Sequence, residues 1–397
     1  MRKSILALTI AAFGIGTTEY VIMGLLPDLA QSFRISIPKA GVIVSAYALS
    51  VTFGSPLVAL ALSKMERKRS LIILMSIFLV GNLLCGLSPN YSLMLGARIL
   101  TALCHGAFFG SASIVAASVV PKEKRVQAIT TMFSGLTLAN VLGVPAGTAL
   151  GHVFGWRSTF FALIPIGLIA MLGLIFWVPQ QEPERVHLKH EFHTVLNPKV
   201  LLVLALSTLS SVSLFTVFTY IAPLLSAVTH LPPHAIAWVL VLFGIGITIG
   251  ILVGGRLGDW RQLRTMVGGY ILVVLILLLM PLTMPHAIAM GACVLIWGMF
   301  HFGASAPLQA RIVEKARRAP NLASTLNQGA FNLGNALGAS LGGIVLTAGY
   351  SYRILPYVAA VVAVVVIALT LLARRLDARH ISDPDFVPVY EDRFSMH

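Results

Sequence analysis

The chain has 397 residues, 57% of them hydrophobic and 11% charged, with a formal net charge of +14. The charges sit almost entirely between long apolar segments, which makes this a polytopic membrane protein and places its function in what crosses the bilayer. No basic run is interleaved with aromatic residues on a soluble domain, so the positive balance is not read as a nucleic-acid footprint.

Spans are predicted near residues 5–26, 40–62, 71–88, 92–120, 127–150, 157–178, 200–226, 235–256, 265–284, 287–311, 322–347 and 353–374. Each comes close to the ~20 apolar residues a crossing needs. The first follows Arg2 and Lys3 but runs on to Leu26, past signal-peptide length, and eleven more follow it; it is read as an uncleaved helix. It carries Glu19, the one acidic residue of the chain inside a span. A carboxylate at the bilayer centre costs about 2.5–3.5 kcal/mol on insertion scales. Removal from water also disfavours its ionised form, so Glu19 is the candidate proton carrier. A hydrogen-bonded glutamate that pins helices together is the competing reading.

The fourth segment carries Arg98. Counted along their helices at ~1.5 Å per residue, Glu19 and Arg98 lie about equally deep, which permits an ion pair. A snorkelling arginine is the plainer alternative. His105 stands seven residues on, on the same helix face. His301 of the tenth segment occupies the matching place, and both are expected to border a central substrate cavity. Imidazole exchanges protons near neutral pH, but a lone membrane histidine also serves as a helix-to-helix bonding group. The fifth segment holds Asn140, then Gly143, Pro145 and Gly147; Gly143 and Pro145 suit a gating bend. Asn327, Gln328, Asn332 and Asn335 are polar positions of the eleventh. With Asn140 they are expected either to line the substrate cavity or to tie helices together.

Residues 179–199 read as a linker and 375–397 as a tail, dividing the chain into bundles at 1–178 and 200–374. His187, His190 and His193 recur in the linker without supporting carboxylates, so no metal site is expected. Cys85, Cys104 and Cys293 share no ligand spacing and read as packing residues. Of the 28 Lys and Arg residues, Arg34, Lys39, Arg157 and Arg353 fall on one side, Arg98 within a span, and all others on the opposite side. The positive-inside rule then places both termini, the linker and the tail in the cytoplasm.

The two halves repeat at an offset of 196 residues. Pro27 falls on Pro223, His105 on His301 and Arg157 on Arg353, and the run from Ala59 to Ser63 falls on Gly255 to Asp259. One step out of register, Asn140 to Gly143 resembles Asn335 to Gly338. Six spans per half make these parallel repeats, an arrangement of transporters whose site lies between the halves.

Three long stretches carry a family resemblance: Phe13 to Pro27, Arg98 to Gly110, and Ala330 to Gly338. The chain resembles the major facilitator superfamily over nearly its whole length. Within it, the resemblance is to bacterial proton-coupled drug and sugar efflux antiporters of the arabinose-efflux-permease type. This implies an all-α fold of twelve transmembrane helices in two six-helix bundles, placed in a bacterial inner membrane. It also implies a role for Arg98 in coupling.

The family's inner-loop motif, G-x-L-A-D-R-x-G-R-K, is degraded in the first half. There Ala59 and Ser63 replace its Gly and Asp, Glu66 replaces a Gly, and Arg67 and Lys68 remain. The second half keeps Gly255 to Asp259. Arg67, Lys68 and Asp259 are the gating candidates on this resemblance. Gly143-Val-Pro145-Ala-Gly147 stands as a variant of the antiporter motif.

Three function classes compete. A membrane enzyme would need paired carboxylates, a metal cluster or a nucleophile with its base, and no such set is apparent. A sensor would need a larger output domain. A secondary transporter remains, expected as a monomer without cofactor, exchanging protons for a small neutral or amphipathic solute. Proton-independent facilitation and nucleoside export are the alternatives.

Overall fold

The structure, a computed structural model, describes residues 2–121, 124–181, 197–316 and 320–381. Among these residues, eleven helices are long and apolar enough to cross a membrane. In chain order they are α1 (Arg2–Gly24), α2 (Ile37–Ala61), α3 (Arg67–Leu87), α4 (Tyr91–Ser118), α5 (Gln127–Phe154), α6 (Trp156–Trp177), α7 (Pro198–Ala227), α8 (Pro233–Thr283), α9 (Ala287–Lys315), α10 (Pro320–Thr347) and α11 (Leu355–Ile381). At 51 residues, α8 is twice the usual length because it contains two crossings. Its backbone leaves the helical region at Arg261 (φ −149°, ψ 71°), where the chain bends back. The eighth and ninth predicted spans are its two arms, so the fold has twelve crossings. Much of 179–199 and 375–397, with His187, His190 and His193, lies outside the described residues.

The helix starts follow local chemistry. Asn90 caps α4 by accepting from the Leu93 amide at 2.9 Å, and Asn197 caps α7 by accepting from the Lys199 amide at 2.9 Å. Gly155 turns the chain between α5 and α6 at φ +84°, a left-handed conformation that side chains disfavour. Large apolar side chains such as Phe154, Phe176, Leu282 and Ile288 are exposed, as a hydrocarbon solvent requires. Polar side chains turn inward instead.

In the first half, α1 packs on α5 and α6, α3 on α4 and α6, and α2 on α4. In the second, α7 packs on α10 and α11, and the two arms of α8 pack on α9 and α11. The halves meet mainly along α2 with α10 and α5 with α8. Glycine ridges work as packing surfaces. Gly246 and Gly250 approach the backbone of α9 at Leu295 and Met299, and Gly334 and Gly338 approach the backbone of α7 at Thr208 and Val212.

Two widened π turns interrupt helices at this seam. One covers Ser50–Gly54 in α2, the other Ala139–Gly143 in α5. Each stands two residues before a proline, Pro56 or Pro145, whose missing N–H breaks the helical ladder. Gly143, one of the two residues expected to bend this helix, ends the second π turn, and Pro145 opens the α-helical stretch that follows. Both turns touch the opposite half: Thr52 donates to the Gly329 carbonyl at 3.2 Å, and Gly244 lies against the Asn140 backbone.

Alternating directions gather Arg67, Lys199, Arg261, Arg311 and Arg374 at one end, here termed the basic end. Toward the opposite end the halves are stitched together. Ser45 donates to the Ala336 carbonyl at 3.2 Å and stands 3.1 Å from the Ser340 hydroxyl, and Tyr220 packs against Gly41. At the basic end the ties among the described residues run within each half. Gln181 joins Ser118 and Glu66 in the first half, and Asp377 joins Arg311 and Lys315 in the second.

Candidate functional site

Glu19 lies on the buried face of α1, toward its C-terminal end, and is 5% exposed. Its neighbours come from α2 and α4. Arg98 is fully buried, and its guanidinium reaches across to α1. One amino group donates to the Thr18 carbonyl at 2.8 Å and lies 3.3 Å from the Thr18 hydroxyl. The other donates to the Glu19 carbonyl at 3.4 Å. Arg98 thus holds the backbone on which Glu19 is carried, rather than pairing directly with its carboxylate. A cation beside two backbone carbonyls is partly neutralised by their dipoles, which lowers the cost of keeping it from water.

The carboxylate faces His105. Glu19 Oε2 lies 3.8 Å from His105 Nδ1, and that same nitrogen is 3.1 Å from the Tyr47 hydroxyl. Tyr47 also lies beneath Arg98, whose guanidinium carbon stands 4.1 Å from the ring centre. Tyr47 is the hub: its face receives the cation and its hydroxyl meets the imidazole. Thr18 is fixed from behind by donating to Asn82 Oδ1 of α3 at 2.6 Å. A carboxyl group, an imidazole and a phenol hydroxyl thus meet beside a buried guanidinium.

His301 is also buried, but its surroundings differ. Its Nε2 stands 3.4 Å from the Ser210 hydroxyl, and Ser210 and Ser305 are 2.9 Å apart. Tyr270 bonds to both serines. Each histidine is therefore bonded within its own half, and neither side chain faces lipid.

The amides divide by role. Asn327 accepts from Ser207 at 2.5 Å and donates to Gln309 at 2.7 Å, which ties α10 to α7 and α9. Asn140 and Asn332 donate to carbonyls of their own helices, Leu136 at 3.0 Å and Gln328 at 3.1 Å. Asn335 is buried and Gln328 half-buried. Gly147 accepts from Thr159 at 2.7 Å and packs against Val21, so it seats α5 on α6 and α1.

Arg67 is buried at the start of α3, whereas Lys68 is half-buried and Asp259 exposed. Glu66, the departure from the loop motif, pairs with Arg69 at 3.3 Å and accepts from the Gln181 amide at 3.3 Å. Tyr47, Thr18, Asn82 and Tyr270 were not singled out by sequence. For Tyr47 the signal was available, since the residue 196 positions on is Phe243, which lacks the hydroxyl.

The model of the Major Facilitator Superfamily matches residues 8–321 and 204–389. The chain belongs to this superfamily. It is 45% identical to the inner membrane transport protein YdhP of Escherichia coli, over 94% of this chain and 96% of that protein. It is 33% identical to the putative transporter AraJ of E. coli, over 96% and 98% of the two chains. A chloramphenicol resistance protein of Streptomyces lividans is 31% identical, over 83% and 86%. Among solved structures, a bacterial homologue of the human lysosomal transporter Spinster, in an inward-facing conformation, superposes with a TM-score of 0.79. It covers 96% of this chain and 98% of that one at 17% identity, which speaks for the fold alone. The protein is thus a superfamily transporter of the inner-membrane type, acting on small molecules across a lipid bilayer.

Proposed function

We propose that the protein is a proton-coupled exporter of small neutral or amphipathic, drug-like solutes, with Glu19 as the proton carrier and Arg98 as the group that tunes it. The observation that carries this reading is the buried Glu19 carboxylate, set between His105 and the α1 backbone that Arg98 holds. With the basic end in the cytoplasm, the stitched end is periplasmic and the form described here opens inward. In the outward-open form Glu19 takes up a proton from the periplasm. The lost charge weakens its attraction to Arg98, the halves rock, and the proton leaves to the more alkaline cytoplasm as substrate loads. The π turns at Ser50–Gly54 and Ala139–Gly143 are the pliable points of that rocking, with Gly143, Pro145 and Gly147 setting the bend in α5. Arg67, Lys68 and Asp259 act at the cytoplasmic gate. His105, His301, Asn140, Gln328, Asn332 and Asn335 border the solute path. The chloramphenicol resistance relative supports a drug-like solute, and chloramphenicol is the first probe.

Proteoliposomes test the proposal. The native protein should accumulate chloramphenicol against its gradient when a pH gradient is imposed. Glu19→Gln, which mimics the protonated acid, should keep counterflow exchange and lose pH-driven accumulation. Full proton-driven flux in Glu19→Gln would move the carrier to another group, His105 first. Equilibration of chloramphenicol by the native protein, without accumulation when the pH gradient is imposed, would favour facilitation instead.

A further inference from the structure

At the basic end of the second half, far from Glu19, a cavity of about 480 Å³ opens where α8 bends. Arg261, Gln262, Leu263, Arg264, Arg311 and Arg374 line it. Four arginines from three helices line this volume, and among the described residues no acidic side chain lines it. Asp377 stands behind it, but its carboxylate is shared, since Arg311 bonds to it at 2.7 Å and Lys315 at 2.9 Å. One anion between two cations leaves the cavity wall positive. Arg311 is 4% exposed, and its Nε has no hydrogen-bond partner among the described residues. That nitrogen is covered by protein, so the donors open to the cavity come chiefly from the exposed Arg261, Arg264 and Arg374. The bend itself serves the site. The non-helical backbone at Arg261 sets that side chain against the Trp260 ring, 4.6 Å from its centre, which fixes its reach.

We propose that this cavity is a binding site for a phosphate group, clamped by Arg264, Arg311 and Arg374. Planar guanidinium forks match phosphate oxygens in pairs, and several converging arginines suit a tetrahedral dianion or a phosphodiester better than a lone carboxylate. The group is borne either by an anionic phospholipid of the cytoplasmic leaflet or by a soluble phosphate. Both present the same oxygens, and the position at the membrane rim admits either. Binding would link the bend of α8 to the ends of α9 and α11, so the second half is held as one body.

Thermal unfolding of the purified full-length chain separates these cases. It is measured in phosphatidylcholine nanodiscs, in nanodiscs containing phosphatidylglycerol, and in phosphatidylcholine nanodiscs with added inorganic phosphate at constant ionic strength. Stabilisation by phosphatidylglycerol alone assigns the lipid, and stabilisation by inorganic phosphate assigns the soluble group. Arg264→Gln and Arg374→Gln, both at exposed positions, should each weaken the half-saturating concentration on the order of fivefold. Arg375→Gln, which removes an equal charge beside the cavity but not in its wall, should leave it unchanged. Failure of both additives to stabilise the native protein overturns the site. So does an effect of Arg375→Gln equal to that of the cavity variants, which would reduce the result to general attraction to the basic rim.

Discussion

At the 196-residue offset, the buried positions that carry ionisable groups in the first half carry apolar ones in the second. Glu19 falls on Phe215, Tyr47 on Phe243 and Arg98 on Val294, and the polar Thr101 falls on Trp297. Where the first half builds a polar cluster, the second stacks rings: Phe243 lies 4.5 Å from Phe218 and 5.3 Å from Trp297, centre to centre. Only the histidine is kept, and it needs different partners. With no hydroxyl on Phe243, His301 turns to Ser210, which Tyr270 and Ser305 support; the mates of those three are Gly14, Leu74 and Phe109. The repeat has thus preserved helix geometry, whereas the mid-membrane set of Glu19, Arg98 and Tyr47 stands in the first half and has no counterpart at the matching positions of the second. A proton carrier is needed once per cycle, and each buried charge is expensive, so duplication of the cluster would add cost without adding coupling.

The largest contrast is expected between Arg98→Ala and its mate Val294→Ala. Arg98→Ala removes the donors to Thr18 and Glu19 and empties the face of Tyr47, and it leaves a buried carboxylate without its cation. Breaking a buried charged set in this way costs about 3–5 kcal/mol. Val294→Ala takes two methyl groups from a packed wall and costs roughly 1–2 kcal/mol. Thermal unfolding in one detergent compares them directly, and proton-driven uptake should fail only in Arg98→Ala. Equal destabilisation by the two would mean that Arg98 is a packing residue like its mate.

A finer contrast lies in the two tyrosines. Tyr47→Phe gives the first half the residue the second already has, while Arg98 keeps an aromatic face below it. His105 Nδ1 loses its hydrogen bond, at about 1–3 kcal/mol for an unsatisfied buried group. Tyr270→Phe is milder, on the order of 1 kcal/mol, because Ser210 and Ser305 remain bonded to each other. Only Tyr47→Phe should alter the pH profile of transport, since Tyr270 lies apart from Glu19. A pH profile altered by Tyr270→Phe and untouched by Tyr47→Phe would relocate the proton chemistry to the second half.

The crossings and the repeat were legible because apolar length is a strong signal and the solvent leaves helices few alternatives. Glu19 and Arg98 were legible as well, since a charge inside a span is rare enough to stand out. Their contact was not. Depth along two helices fixes a height, but rotation and side-chain direction decide whether Arg98 meets a carboxylate or a carbonyl, and those are set by packing. Tyr47 escaped because tyrosine passes for an apolar residue in a hydropathy count. The joining of the eighth and ninth spans into α8 escaped for another reason. The basic stretch from Arg256 to Arg264 holds no proline, so helix persists on both sides of a single bent residue.

The smallest effect is expected at the seam that joins the two unlike halves. A methyl group on Gly244 would lie 2.7 Å from the Asn140 carbonyl oxygen and 2.8 Å from the Val141 Cα, both backbone atoms of the π turn in α5. Neither can rotate away, so Gly244→Ala must push α5 and α8 apart. An overpacked contact of this size costs about 1 kcal/mol, close to a fivefold change in the balance between conformations. Each half should remain intact, because the clash is between them. The readout is maleimide labelling of Ser45→Cys, a position that in the form described here is buried against Ala336 and Ser340 at the non-basic end. The native cysteines are buried and add little background. Labelling should quicken severalfold in Gly244→Ala, whereas Gly255→Ala, with no atom within 4 Å of the added methyl, should leave it alone. Unchanged labelling in Gly244→Ala would show that the α5–α8 contact does not hold the halves together, and that the seam rests on α2 and α10.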